Sequence, residues 1–266
     1  MSVNKLSLKQ IVKSFGKGKQ QDKVLDGISL HVAEGEFVSI LGPSGSGKST
    51  LFHIIGGLVA PTSGSVWLDG REVTGEKGLI SYMPQQPSLM PWRTIEENVM
   101  LAREVAGFSR RESLELAREW LARVGLSGYE RHYPHVLSGG MQQRASFARA
   151  LLSPKELICL DEPFGALDAL TRQEMQNWLL GIWEENKRSV LFVTHSIEEA
   201  LYLSDRIYVL SNKPTQVLRE LVVPFARPRM EAVMHEREFQ RMRQEIYEVL
   251  KGNTIQHALE AREDVS

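Results

Sequence analysis

The sequence predicts an α/β domain with helices on both faces of a mostly parallel sheet. Three observations carry this reading. Short β-like runs alternate with helical ones along most of the chain. One continuous apolar run, Phe37–Leu41, stops at Gly42, as a buried parallel strand does before a tight turn. A helical stretch from Ile95 to about Leu152 interrupts the strand signals, which resume at Leu157.

The elements follow in order. Leu6–Val12 and Ile28–Ala33 alternate enough to read as strands. Lysines at 5, 9, 13, 17 and 23 accompany them without a continuous apolar region. That pattern is not a signal peptide and fits the solvent side of edge strands. After Gly42 comes a Gly-rich turn, then an apolar helix from about Ser49 to Leu58. Gly64–Asp69 and Leu79–Met83 read as further strands. Within the helical stretch, Leu114, Ala117, Leu121 and Val124 keep helical spacing, and Met141–Leu152 continues it. Strand signals return at Leu157–Leu160, Val190–Thr194, Ile207–Leu210 and Gln216–Val223. Ala226–Arg229 is a linker-like break. The chain is charged and helical from Glu231 to about Leu250, and Ala261–Ser266 reads as a polar, frayed end. The predicted organisation is one domain over 1–225, with a helical subdomain at about 86–155, and a linker and helical tail over 226–266.

The chain has 266 residues, with 32 Lys+Arg against 33 Asp+Glu, 42% apolar and 24% charged residues. Those fractions are ordinary for a globular protein and exclude a disordered, collagen-like or disulfide-dense chain. The near-zero balance argues against a broad nucleic-acid surface. The single Cys159 lies in an apolar run and reads as a small core residue. No stretch approaches the ~18 apolar residues that span a bilayer.

Gly42-Pro43-Ser44-Gly45-Ser46-Gly47-Lys48-Ser49-Thr50 matches G-x-x-x-x-G-K-[ST], after a predicted strand and at the start of a helix. Glycines let successive backbone N–H groups converge on phosphate oxygens, and the helix N-terminus adds partial positive charge. Lys48 would reach the β- and γ-phosphates, and Ser49 would ligate Mg²⁺. This motif alone does not separate ATPase, GTPase and kinase.

Leu157–Leu160 ends in Asp161-Glu162. Ligands of open α/β sheets sit beyond the C-terminal strand ends, so Asp161 is placed to hold Mg²⁺ and Glu162 to polarise a water. The plainer alternative is a solvated acidic turn. Val190–Thr194 ends in His195, a lone histidine that is either structural or a γ-phosphate contact; Ser196 and Glu199 read as a capping box for the next helix. Ser138-Gly139-Gly140 opens another helix and offers a second anion site, or an ordinary serine cap. His132 and His135 lack further ligands at zinc spacing.

Taken together, in this order along the chain, these motifs resemble the ATP-binding-cassette (ABC) ATPase family over about residues 5–225. The set is the phosphate loop at 42–50, Gln85, Leu137–Met141, Asp161-Glu162, the turn Gly165-Ala166-Leu167-Asp168, and His195. The resemblance implies a P-loop NTPase core with a mostly parallel sheet, an antiparallel β part near the N-terminus and an inserted α-helical subdomain. It implies ATP and Mg²⁺ as cofactors and a head-to-tail homodimer holding two ATP. Ser138, Gly139 and Gly140 of one subunit would then meet the γ-phosphate held by the other. It further implies Gln85 as a Mg²⁺ and water contact, Glu162 as general base, His195 as γ-phosphate sensor, Asp168 in the turn at the dimer interface, and Phe15 as the adenine-stacking aromatic.

Leu89-Met90-Pro91-Trp92, the run Glu162–Arg172 and Arg227-Pro228-Arg229 resemble the nitrate/sulfonate/taurine-type importer ATPases. That narrower likeness implies a peripheral subunit on the cytoplasmic side of the membrane, working with a separate permease and, indirectly, an extracytoplasmic solute-binding protein. Leu89–Trp92 would lie near the groove that receives a permease helix, or simply pack within the helical lobe. Met141 stands where the signature usually has Gln, Ser196 where Asp often follows the sensor His, and Tyr82-Met83-Pro84 precedes Gln85 where Phe is common. An exporter ATPase and a soluble non-transport cassette are the competing readings; the latter usually carries a long coiled-coil insert or two cassettes, and this chain has one phosphate loop.

Overall fold

Strand β1 (Asn4–Phe15) and strand β2 (Asp22–Ala33) pair antiparallel because their alternating apolar residues face one side. Leu6 lies opposite Val32 and Leu8 opposite Leu30, and all four are buried. Gln10, at a φ of 51°, bulges the strand and re-aims Ile11 into the core. The bulge needs Gly64 beside it: a Cβ there would lie 2.3 Å from the Gln10 carbonyl oxygen. The computed structural model describes residues 4–16, 18 and 21–263, with side chains to 254.

Along the chain follow β3 (Phe37–Leu41), α1 (Lys48–Ile55), β4 (Ser63–Leu68), β5 (Arg71–Glu72) and β6 (Ser81–Met83). Then come α2 (Ile95–Val105), α3 (Arg110–Arg123), α4 (Gly139–Leu152), β7 (Leu157–Asp161) and α5 (Ala169–Asn186). The rest is β8 (Ser189–Thr194), α6 (Ile197–Leu203), β9 (Arg206–Leu210), β10 (Val217–Val222) and α7 (Arg237–Glu263).

These elements form two compact units, residues 1–78 with 180–266, and 79–179. The first holds an antiparallel sheet in the order β2-β1-β4-β5. It also holds β10-β9-β3-β8, in which β3 runs parallel to both β8 and β9. Strands β3 and β8 are buried along their whole length, which is why both read as continuous apolar runs. Because β1 is internal to its sheet, its lysines do not mark an edge as expected. They line its outer face: Lys5 pairs with Asp69 at 2.9 Å, Lys9 lies 3.9 Å above the Trp67 ring, and Lys13 donates to the Ala60 carbonyl over 2.8 Å. Lys23 does sit on the edge strand β2, and Lys17 lies outside the described residues.

In the second unit β6 runs parallel to β7, and α2 packs on α3 and α4. A full capping box starts α2: Thr94 Oγ1 accepts the Glu97 amide, and the Glu97 carboxylate accepts the Thr94 amide over 3.1 Å. Trp178 of α5 meets Trp120 and Phe147 edge-on, with ring centroids 6.0 and 5.6 Å away.

The tail departs from its linker-like appearance. Arg229 is buried in the first unit and α7 packs on α6. Helix α7 runs on to Glu263, through part of the segment expected to fray; residues 264–266 lie outside the described residues.

Candidate nucleotide site

Register places the phosphate loop and His195 within the first unit. Leu41 pairs with Thr194 across the parallel strands β3 and β8. Gly42 and His195 therefore leave neighbouring strands at the same end of the sheet. His195 is exposed there.

The loop from Gly42 to Gly47 is held from both sides. Thr215, fully buried, donates its hydroxyl to the Ser46 carbonyl. Thr215 is itself tied to β2: its amide donates to the Val24 carbonyl, and its carbonyl accepts the Asp26 amide, each over 2.9 Å. Gly47 caps α1 at a φ of 90°, and a Cβ there would lie 2.6 Å from Val24 Cγ1. Only glycine satisfies both conditions. Gly45, at a φ of 77°, has open space around it. Lys48 Nζ curls back over the loop, donating to the carbonyls of Gly42 (2.9 Å) and Pro43 (2.7 Å). Ser46 Oγ is buried with no hydrogen-bond partner among the described residues. Ser49 and Thr50 follow in the first turn of α1, both partly exposed. An exposed Ser44-Gly45 backbone, a lysine at the loop and a helix N-terminus together suit a phosphate group.

Phe15 ends β1 opposite Asp22 and is 44% exposed, with Lys13 Nζ 4.8 Å from its ring centroid. An aromatic face this open can take a flat base.

The turn after β8 is built differently from its sequence expectation. Ser196 Oγ accepts the Glu199 amide over 3.2 Å, as a cap should. The Glu199 carboxylate, however, accepts the Thr194 hydroxyl over 2.6 Å, and Thr194 Oγ1 accepts the Ser196 amide over 3.0 Å. The box is relayed through Thr194, which pins the residues on both sides of His195.

The second unit holds the carboxylates. Asp161 is buried at the end of β7. The Tyr82 hydroxyl donates to Asp161 Oδ2 over 3.5 Å. Register explains the meeting: Tyr82 lies opposite Cys159, and Asp161 is two residues on, on the same strand face. Burial first, then the Asp161 charge, pushes the Tyr82 phenol up, so it remains a donor.

Glu162 adopts a φ of 47°, a left-handed conformation unusual for glutamate. Its Oε2 accepts Gln85 Nε2 over 3.1 Å; its carbonyl accepts the Gly165 amide over 3.1 Å and Gln143 Nε2 over 3.5 Å. Backbone turn and side chain are thus both fixed, an arrangement suited to orienting a water. Arg149 holds the segment after Gln85 through the carbonyls of Pro87 (2.9 Å) and Ser88 (3.0 Å).

Ser138 caps α4, its Oγ accepting the Met141 amide over 3.3 Å, and Ser138 and Gly139 are exposed. Nothing stands where a Gly139 Cβ would be. This helix start can take an anion from outside the chain. Asp168 caps α5: its Oδ1 accepts the Thr171 amide over 3.0 Å, which holds the carboxyl below its usual range. The same turn exposes Leu170 at 73%.

Tyr82, Gln143, Arg149, Thr194 and Thr215 are supports that motif reading did not single out. The first was visible only as a neighbour of Gln85. Gln143, Ser146 and Arg149 do form a polar i, i+3 row on a helix otherwise rich in apolar residues, which is a usable signal.

Residues 25–165 match the family described as ABC transporter. The formylaminopyrimidine import ATP-binding protein ThiZ of Halalkalibacterium halodurans is 48% identical over 201 residues, 76% of this chain and 78% of its own. The aliphatic sulfonates import ATP-binding protein SsuB of Bacillus cereus is 38% identical over 257 residues, 96% of this chain and 99% of its own. A solved dimeric ATP-binding cassette in a post-hydrolysis state, bound to ADP and Pi, superposes with a TM-score of 0.75 at 35% identity, covering 83% of this chain and all of that one. The phosphate loop after β3, the carboxylates ending β7 and these likenesses agree: the chain belongs to the ABC transporter family and is an ATP-binding ATPase.

Proposed function

We propose that this chain is the ATP-hydrolysing subunit of an importer for a small solute, coupled to a separate membrane permease. The observation that carries import is that relatives 48% and 38% identical, with high coverage, are both named import ATP-binding proteins. Their named solutes differ, a formylaminopyrimidine and aliphatic sulfonates, so selectivity belongs to the permease and its solute-binding protein. No helix among the described residues is long and apolar enough to cross a membrane. The chain would work as a peripheral subunit on the cytoplasmic face.

Hydrolysis follows from its own residues. Gly42–Gly47 wraps phosphate oxygens with backbone N–H groups, Ser46 Oγ supplying a further donor. On nucleotide binding, Lys48 exchanges its two carbonyl partners for the β- and γ-phosphates. Phe15 stacks on adenine. Ser49, Gln85 and Asp161 are the residues that would hold Mg²⁺, which would supply charge neutralisation at the phosphates. Glu162 accepts a proton from the attacking water, which Gln85 helps to orient, and His195 contacts the γ-phosphate. Ser138, Gly139 and Gly140 complete the pocket of a second subunit in a head-to-tail homodimer holding two ATP.

Two measurements test this reading. The chain should co-purify from detergent-solubilised membranes with a multi-spanning permease, and solute-loaded binding protein should stimulate its ATPase in proteoliposomes. An ATPase rate indifferent to permease and binding protein would leave an enzyme of another kind.

A further inference from the structure

Helix α6 has only seven residues, and it starts directly after His195-Ser196. The last carbonyls of a helix have no partner inside it. Here the tail supplies them. Arg229 Nη1 donates to the carbonyls of Leu201 (3.2 Å), Tyr202 (3.0 Å) and Ser204 (2.7 Å). Arg227 Nη2 donates to that of Leu203 over 2.6 Å. The other side of the Arg229 guanidinium donates to the Phe225 carbonyl through Nε and Nη2, each over 3.2 Å. Its side chain is 1% exposed. Cations suit a helix C-terminus, but an apolar side chain would fill such a space without burying a charge. Burial, with the Arg227 cation beside it, lowers the Arg229 pKa to about 10, so the group stays charged at neutral pH.

The same two arginines reach β3. Arg227 Nε donates to Asp205 Oδ1 over 2.8 Å, and Arg229 Nη2 lies 3.7 Å from that oxygen. Asp205 Oδ2 accepts the Phe37 amide over 3.0 Å, and the Asp205 amide donates to the Phe37 carbonyl over 2.7 Å. Phe37 opens β3, whose far end is the phosphate loop, and α6 has His195 at its far end. One bolt therefore joins the bases of the two elements that carry these groups.

We propose that Arg229 is a positioning residue for the nucleotide site: by locking the C-terminal turn of α6 to the base of β3, it sets where His195 stands relative to the phosphate loop. The proposal rests on the reading of His195 as a γ-phosphate contact.

The test is a double-variant cycle on the full chain with ATP and Mg²⁺. Arg229→Gln should lower kcat about 10- to 100-fold while KM for ATP stays within about twofold, because positioning is lost and ground-state binding is kept. His195→Ala should lower kcat by itself. In the double variant, adding Arg229→Gln should change the His195→Ala rate by less than about threefold. Losses that multiply, or wild-type kcat in Arg229→Gln, overturn the proposal. Wild-type turnover in His195→Ala removes the underlying reading, is seen without any Arg229 variant, and takes the proposal with it. If Arg229→Gln does not fold, Arg229→Lys carries the same cycle, since one ammonium keeps the charge but cannot span four carbonyls. If neither folds, the arginine is a folding element and the proposal fails.

Discussion

Asn98 gives the most direct test of how the Leu89–Trp92 segment, exposed at Pro91 and Trp92, is held. Its side chain is fully buried on α2 and makes contacts only a carboxamide can combine. Oδ1 accepts the Met90 amide over 2.7 Å; Nδ2 donates to the carbonyls of Met90, Arg93 and Thr94 at 3.1, 3.2 and 3.0 Å. Trp92, within the loop so clamped, is 72% exposed. In Asn98→Ala the Met90 amide loses this acceptor, a penalty of about 1–3 kcal/mol, and the shared donor to three carbonyls goes with it, about another 1 kcal/mol. A local loss of about 2–4 kcal/mol corresponds to hydrogen exchange at Met90 faster by roughly 30- to 700-fold, at 1.4 kcal/mol per decade. Asn98→Asp keeps one acceptor but turns the donor into an oxygen facing those carbonyls, so it should loosen the loop at least as much. Exchange mass spectrometry on peptides spanning 86–98 reads the effect, with β7 peptides as the control. Met90 exchange within about threefold of wild type in Asn98→Ala would refute the clamp. Permease-stimulated turnover should fall in the same variants while basal ATPase stays near wild type.

Other outcomes follow from the same geometry. Glu162→Gln should keep ATP binding, lose turnover by about 100-fold or more, and run as an ATP-dependent dimer in size-exclusion chromatography; a wild-type rate would remove Glu162 as the base. Gly47→Ala adds a clash with Val24 to left-handed strain and should destabilise by about 2–4 kcal/mol, whereas Gly45→Ala, which meets nothing, should show only the strain of about 1–2 kcal/mol. Equal denaturation midpoints for the two would show that Val24 gives way. Burial holds the Tyr208 phenol up at about 12, although the His31 backbone contact pulls the other way. Its folded pKa exceeds the unfolded value near 10, so its contribution is intact below pH 10 and fades as pH rises toward 12, by about 2–3 kcal/mol. Urea titrations of Tyr208→Phe should therefore lose less stability over that range than wild type, and parallel curves would disprove the assignment.

The phosphate loop and the Asp161-Glu162 strand end were legible because their chemistry confines particular residue types to a contiguous stretch. Their supports were not, because they arrive from far along the chain: Thr215 reaches Ser46 across 169 positions, and Tyr82 reaches Asp161 across 79. The relayed cap at Ser196 shows a subtler limit. Spacing identifies Ser196 and Glu199 correctly, yet only the pleat of β8 shows that Thr194 comes between Glu199 and the backbone. Helix α5 left no clear signal because apolar residues lie on opposite sides of it: Leu170 is exposed while Met175, Leu179 and Trp183 are buried. Arg227-Pro228-Arg229 looked like a surface break since charge and proline usually mark one. The end carbonyls of α6, which no helix can satisfy for itself, take the arginines inside instead.

Cys159 is the chain's single cysteine, fully buried in β7. Burial and the neighbouring Asp161 charge drive its thiol well above the ordinary range, so it stays protonated. Alkylating reagents attack thiolates, and this one is sheltered from them while the fold holds. A cysteine introduced on the surface would consequently be the sole labelling point on the chain. Fluorophores or spin labels can then be placed at chosen positions to follow subunit closure, with the natural sulfur left where it is.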